Sequence, residues 1–418
     1  MGIAAYKPTA KQLRFLDWEC GMFFHFGIRS FYPGHRDWDG VEMNASAFDP
    51  KELDVHDWLS AAKLIGAKYA ILTAKHHDGF ALWPSKYTSY SVASSPWREG
   101  RGDVVKEFVS ACRAEGIAVG LYYSPAQWGS HAVSFANNAE YDDYFIGQIG
   151  ELLTNYGKID YLWFDGCGSN GHEYDQKRII RTIRSLQPDI TIFDMWDGDT
   201  RWVGNEDGYA PCPNPYVVKH TVLGEEKEMF IPAECDCKLR ESWFYDHNEN
   251  TIKSVDELLG MYEFSVGRGC NFLLNVGPDD RGRIHEKDKE RLSEFSAALK
   301  ALYAKPLPFE APVREGNTVR IAYGEETQRK IGENMKLKPV RRVIVKEDIA
   351  DGQHIRRFKL YAHIPSVNPV QGRRFCVFDG QTVGHKAIIR LPDIRTGMLD
   401  LEILESDGEG KIDAFEAY

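Results

Sequence analysis

Over residues 1–305, short apolar runs alternate with stretches whose apolar residues recur at helical spacing. The runs are "CGMFFHFG" (20–27), "YAILTAKHH" (69–77), "VGLYYSP" (119–125), "DYLWFDG" (160–166), "ITIFDM" (190–195), "MFIPAECD" (229–236) and "NFLLNVGP" (271–278). They are apolar throughout rather than alternating, as strands buried on both faces are. Between them, Asp103 can cap a helix carrying Val104, Val105, Phe108, Ala111 and Cys112 on one face. Tyr144, Phe145, Ile149, Leu152 and Leu153 share a second helical face, and Ile179, Ile180, Ile183 and Leu186 a third that Pro188 ends. Ser254 and Glu257 form a capping box ahead of "LLGMYEFSV". Repeated strand–helix units predict an α/β fold, a (β/α)8-like TIM barrel over 1–305, with one strand, the seventh, too weak to see.

After "KPLPF" (305–309) the texture changes. "TVRIAYG", "RRVIVKED", "RRFKLYAHI", "RRFCVFDG", "HKAIIRL", "MLDLEILE" and "KIDAFEAY" are short, β-rich and separated by turn residues, with no helix between them. Residues 306–418 therefore read as a C-terminal antiparallel β-sandwich.

Composition narrows the function classes. A hydrophobic share of 43% over 418 residues suffices for a large core. The formal charge of −11 gives no support to a nucleic-acid or membrane-surface partner. No apolar run is long enough to span a bilayer. The N-terminus lacks a basic segment followed by an apolar one, so a cytoplasmic location is expected, with a trimmed secretory signal left open. Cys235 and Cys237 form C-x-C without a second ligand pair, and the eight cysteines are expected to be free thiols rather than a zinc site.

The chemistry gathers where the strands end. In a barrel the active site lies at the C-terminal ends of the strands. Strand one ends near His25, strand two at His76 and His77, strand three at Tyr123, and strand four at Trp163 and Asp165. Neighbouring side chains on a regular strand point to opposite faces. Adjacent histidines therefore chelate one ion poorly, and no metal is expected. A break at "HHDGF" would let both imidazoles line one pocket, where they could donate to and accept from sugar hydroxyls. A pair of histidines with structural partners is the alternative. Asp165 ends an apolar run, where a carboxylate is costly without a task or a partner. It reads as a nucleophile or base, or as a salt-bridged strand end. Glu206, in the loop "RWVGNEDG", is a second carboxylate; Glu234, in "PAECD", is its rival. Trp38, Trp163, Trp196, Trp202 and Trp243 fall at strand ends or in loops, where rings can stack on sugar faces. Together these residues favour a glycoside hydrolase. A catalytically silent sugar-binding protein and a metal-dependent barrel hydrolase are the other classes.

"MFFHFGIRSFY", "GAKYAILTAKHHDGFALWPSKYTSYSV", "GIAVGLYYSP", "YGKIDYLWFDG" and "RGCNFLLNVGPDDRGRIHEKD" resemble the α-L-fucosidase family of retaining glycoside hydrolases (family 29), over most of residues 12–303. The resemblance implies that Asp165 is the nucleophile, that His25, His76 and His77 bind fucose hydroxyls, and that Tyr123 and Trp163 lie beside the nucleophile. Asp37–Trp38 stands where many members have Glu-Trp, so the acid here is one carbon shorter. Arg201 and Trp243 are weaker matches to substrate-binding positions. "RWVGNEDG" and "PAECDCKLRESWFY" are similar to the subgroup that cleaves branched α-1,3/1,4-linked fucose, which makes Glu206 the acid/base, with Glu234 the alternative. "YAPCPNPYVVKH" departs from that subgroup, and broad action on α-1,2/1,6 or aryl fucosides is the other specificity. The expected partner is a fucosylated oligosaccharide or glycoconjugate, and no cofactor is implied.

Overall fold

The computed structural model describes residues 6–32, 34, 41–129, 131–133, 135, 137–332, 337–364 and 373–418. The barrel strands are β1 (Cys20–Phe24), β2 (Tyr69–Lys75), β3 (Ala118–Tyr123), β4 (Tyr161–Phe164), β5 (Thr191–Phe193), β6 (Arg201–Trp202), β7 (Ala233–Lys238) and β8 (Asn271–Asn275). They pair in parallel in the order β5-β4-β3-β2-β1-β8-β7-β6. The ring is nearly closed between β5 and β6 by a parallel bridge at Phe193–Thr200. The strand hidden from sequence is thus the sixth, not the seventh. At two residues, β6 is too short to leave an apolar run. Residues 229–236 instead cover the end of an antiparallel hairpin (Val217–Val222 with Glu225–Phe230) and the start of β7.

Each strand sorts its side chains into two cores by alternation. Phe23, Tyr69, Ile71, Tyr122, Tyr161, Trp163, Phe193 and Leu273 fill the barrel interior. Met22, Phe24, Ala70, Leu72, Leu121, Tyr123, Leu162, Phe164, Phe272 and Leu274 face the helices. Each buried leucine, isoleucine, methionine or phenylalanine among them contributes about 1.5–3 kcal/mol by leaving water, which is why both faces of every run are apolar. Helix α1 (Ala10–Trp18), started by a Thr9–Gln12 capping box, lays Phe15 against Tyr69 and Tyr161 at the N-terminal ends of their strands.

Outside lie α2 (Val55–Leu64), α3 (Val104–Glu115), α4 (Asn138–Asn155), α5 (Gln176–Leu186), α6 (Val255–Ser265) and α7 (Glu286–Tyr303). Asp103 caps α3 by accepting from Lys106 N, and the Ser254–Glu257 capping box starts α6. The chain then builds a five-stranded and a three-stranded antiparallel sheet around Val319, Val343, Phe358, Leu401 and Phe415. A helix, Glu325–Gly332, lies among these strands, where the sequence predicts none. The sheets are fastened to the barrel by buried charge. Glu263 of α6 accepts from Tyr303 Oη at 2.7 Å and pairs with Arg342 and Arg390 at 2.5 and 3.0 Å.

Candidate active site

A cavity of about 920 Å³ opens at the C-terminal ends of the strands. Strand parity decides what enters it. Thr73 of β2 pairs with Tyr122, but Lys75 pairs with Tyr123, so Ala74 is an extra residue in the ladder. The bulge inverts the alternation. Lys75 turns outward, with its Nζ 4.4 Å from the Tyr123 ring centroid, and His76 turns inward to stack on Tyr122 at 5.3 Å. The strand then ends, and a turn closed by Gly79 N on the His76 carbonyl at 3.0 Å carries the chain away. Gly79 sits at φ +83°, a conformation that favours glycine. Free of the ladder, His77 also faces the cavity, its ring 4.3 Å from His76.

Asp165, just past β4, lies in the cavity wall and has three donors. Tyr122 Oη donates to its Oδ2 at 2.9 Å, Cys167 N donates to its Oδ1 at 2.9 Å, and His77 Nε2 lies 3.4 Å from Oδ2. Burial works against its charge, but the contacts from His77, Cys167 N and Tyr122 outweigh it and hold the pKa below the usual carboxylate value. The His77 ring is itself fixed. Ser124 Oγ, which donates to the Ala126 carbonyl at 2.6 Å, lies 2.6 Å from His77 Nδ1, and this contact turns Nε2 toward Asp165.

His25 is fixed by the same logic. Asn275 Nδ2 donates to the Trp243 carbonyl at 2.7 Å, which aims Oδ1 at His25 Nδ1, 2.7 Å away. Nδ1 therefore carries the proton and Nε2 is an acceptor. Burial pushes the His25 pKa down to about 3 and that of His76 well below its ordinary value, so both stay neutral. The site thus offers an ionised carboxylate beside neutral imidazoles that accept and donate, a set suited to a polyhydroxylated ring. His76, His77 and Asp165 also bring three donor atoms within 4.8 Å of one another, the one such group among the described residues. In His77 and Asp165 those donors already engage each other and the fixed hydroxyls of Tyr122 and Ser124.

The second carboxylate comes from another strand end. Glu206 lines the same cavity from the loop after β6, and its Oε2 lies 3.2 Å from Lys238 Nζ. Strand β7 points Glu234, Asp236 and Lys238 inward at successive heights and turns Cys235 and Cys237 away. Lys238 lies at the mouth. Asp236 is buried in the wall, where Trp202 Nε1 donates to it at 2.6 Å. Burial drives its pKa well above the carboxylate range, against that hydrogen bond and with help from the charges of Glu234 and Glu206.

Glu234 lies deepest, outside the cavity. It accepts from Tyr69 Oη at 2.5 Å, Trp163 Nε1 at 2.9 Å and Tyr161 Oη at 3.2 Å, and burial pushes its pKa up to about 7. It is a floor residue beneath Trp163. Trp163 stacks on Phe193 at 4.1 Å and on Tyr122 at 5.4 Å.

Of the residues expected from sequence, the cavity collects His25, His76, His77, Trp163, Asp165, Trp202, Glu206 and Trp243. Three others stand elsewhere. Tyr123 faces α4 and donates to Gln148 at 2.6 Å, so the tyrosine on Asp165 is its neighbour Tyr122. Arg201 turns out of the barrel to donate to Asn214 at 2.8 Å, and Trp202 lines the cavity in its place. Glu234 lies below the cavity, as described. Asp37 and Trp38 lie outside the described residues. Sequence reasoning also missed Tyr122, Asp236 and Lys238. Parity was the usable signal: Tyr122 is in register with inward Trp163, and "ECDCK" alternates polar residues with cysteine.

The sequence profile described as Alpha-L-fucosidase matches residues 4–302. Alpha-L-fucosidase 1 of Arabidopsis thaliana is 38% identical over 326 residues, which span 74% of this chain and 63% of that protein. A relative from Oryza sativa subsp. japonica is 32% identical over 437 residues, covering 95% of this chain and 82% of its own length. Among solved structures, a glycoside hydrolase 29 family member from a rumen bacterium superposes with a TM-score of 0.86 at 32% identity, over 99% of this chain and 77% of the other. The barrel with its appended β-sheets, the profile and these relatives agree: the chain belongs to the α-L-fucosidase family, glycoside hydrolase family 29.

Proposed function

We propose that this protein hydrolyses terminal α-L-fucose from oligosaccharides or glycoconjugates with retention of configuration. One observation carries the reading: Asp165 is held as a carboxylate by Tyr122, His77 and Cys167 N in a cavity that Glu206 shares. Asp165 attacks the anomeric carbon while protonated Glu206 gives its proton to the leaving oxygen. Water then releases fucose from the fucosyl-enzyme, with Glu206 as base. His25, with its acceptor nitrogen unengaged by Asn275, receives a sugar hydroxyl; His76 and His77 complete that wall. The loop "RWVGNEDG" favours α-1,3/1,4-linked fucose as the substrate.

A chromogenic aryl fucoside tests the activity. Azide rescue of Asp165→Gly tests the nucleophile, since azide enters the vacated space and yields fucosyl azide of inverted configuration. No turnover by the wild type would leave a sugar-binding protein. Activity with no rescue would move the nucleophile elsewhere. A panel of α-1,2-, α-1,3-, α-1,4- and α-1,6-fucosyl disaccharides settles the linkage.

A further inference from the structure

Trp202 is 40% exposed, and of the exposed large hydrophobic residues it alone lines the cavity among the described residues. The part of the ring left open to water inside the cavity contributes nothing to folding by burial. The other two tryptophans of the cavity are engaged. Trp163 is 6% exposed and stacked on Phe193 and Tyr122. Trp243 packs on His25 at 4.8 Å and carries Lys238 Nζ 5.0 Å from its ring centroid. Among the described residues no aromatic ring and no cation packs on Trp202.

Its ring is nonetheless held. Nε1 donates to Asp236 at 2.6 Å, and the backbone N donates to Asp194 Oδ1 at 3.2 Å. Asp236 is 4% exposed, so its hydrogen bond is sheltered from water. The side chain is therefore an oriented platform rather than a loose surface residue. It stands four residues before Glu206 in the chain, on the wall that carries the proposed acid. A general acid must reach the oxygen between fucose and its neighbour. A ring on the same stretch of wall as that acid consequently stands on the side of the leaving group. A volume of about 920 Å³ is at the upper end for small-molecule sites and leaves room for a second sugar.

We infer that Trp202 is the stacking platform for the pyranose that carries fucose, and that Asp236 is the positioning residue that sets its ring. This rests on the fucosidase reading above. Pyranoses present C–H faces that cover an indole while their hydroxyls stay at the rim. Covering about 80 Å² of ring, roughly a third to a half of what a tryptophan can bury, at about 25 cal/mol per Å² corresponds to about 30-fold in kcat/KM.

The test compares two substrates: α-L-fucosyl fluoride, whose leaving group is a single atom, and whichever of the α-1,2-, α-1,3-, α-1,4- and α-1,6-fucosyl disaccharides the wild type cleaves fastest. Trp202→Ala should lower the ratio of disaccharide to fluoride kcat/KM about 30-fold, mostly through KM. Asp236→Ala should lower the same ratio, and Asp236→Asn, which keeps an acceptor for Nε1, should restore most of it. Equal losses on both substrates in Trp202→Ala overturn the platform while leaving the fucosidase reading intact. A ratio lowered equally by Asp236→Ala and Asp236→Asn overturns the positioning role. A wild type inert toward the fluoride overturns the fucosidase reading, and the platform with it.

Discussion

Adjacent tyrosines on β3 make a controlled experiment. Tyr122→Phe deletes only the hydroxyl 2.9 Å from Asp165 Oδ2 and keeps the ring that stacks on His76 and Trp163. A hydrogen bond to a charged group contributes about 1.5–3 kcal/mol. At about 1.4 kcal/mol per pH unit, its loss moves the ionisation of Asp165 up by about one to two units. The direction follows from the linkage. Asp165 has a depressed folded pKa and acts as the carboxylate, so activity is lost as pH falls through that pKa. Raising the pKa shifts the acid limb of kcat/KM toward neutral pH. An activated aryl fucoside reports it, since kcat/KM follows ionisations of the free enzyme. Tyr123→Phe is the control. Its hydroxyl donates to buried Gln148 at 2.6 Å on the far side of the strand. That variant should lose about 1–3 kcal/mol of stability and keep the acid limb in place. An acid limb that stays put in Tyr122→Phe, or moves equally in both variants, would refute the assignment of Tyr122 to the nucleophile.

Three further outcomes are expected. Asp165→Asn should reduce turnover by several orders of magnitude with an unchanged circular dichroism spectrum, whereas an unfolded variant would mean that Asp165 is mainly structural. Glu206→Ala should slow poor leaving groups far more than activated ones. Glu234→Ala should slow both alike and cost about 3 kcal/mol or more, because it strands Tyr69, Tyr161 and Trp163 without their acceptor; reversed patterns would exchange the two roles. His25 is held near 3 when folded against 6.5 when unfolded, so the unfolded chain binds more protons between those values and stability falls as pH drops through that window. The wild type should lose on the order of 2 kcal/mol more than His25→Gln between pH 6.5 and 5 in denaturant titrations; parallel curves would mean that His25 is not buried neutral.

The sites that sequence reasoning misplaced share one cause. Tyr123 stands one residue from Tyr122 and Arg201 one residue from Trp202, and on a strand one residue is a change of face. When both faces are buried, the apolar pattern does not say which is which. "VGLYYSP" presents two tyrosines with equal claims, and only the pairing of Tyr122 with Trp163 decides between them. The histidine pair shows the complement. Its sequence suggested a break, and both rings do line one cavity. The device is a bulge at Ala74 followed by the turn at Gly79, and a bulge exists only relative to the partner strand.

The sequence by itself determined that six of its seven apolar runs become barrel strands, where the caps of α3 and α6 fall, that β-strands follow residue 306, and that His25, His76, His77 and Asp165 stand where strands end. These depend on composition and local spacing, which the chain carries in one dimension. Tertiary structure alone decided the parity of each strand, the two-residue β6, the sinking of Glu234 beneath Trp163 and the appearance of Asp236 in the cavity wall. Those depend on register between strands distant in sequence, where a shift of one residue exchanges the core for the active site.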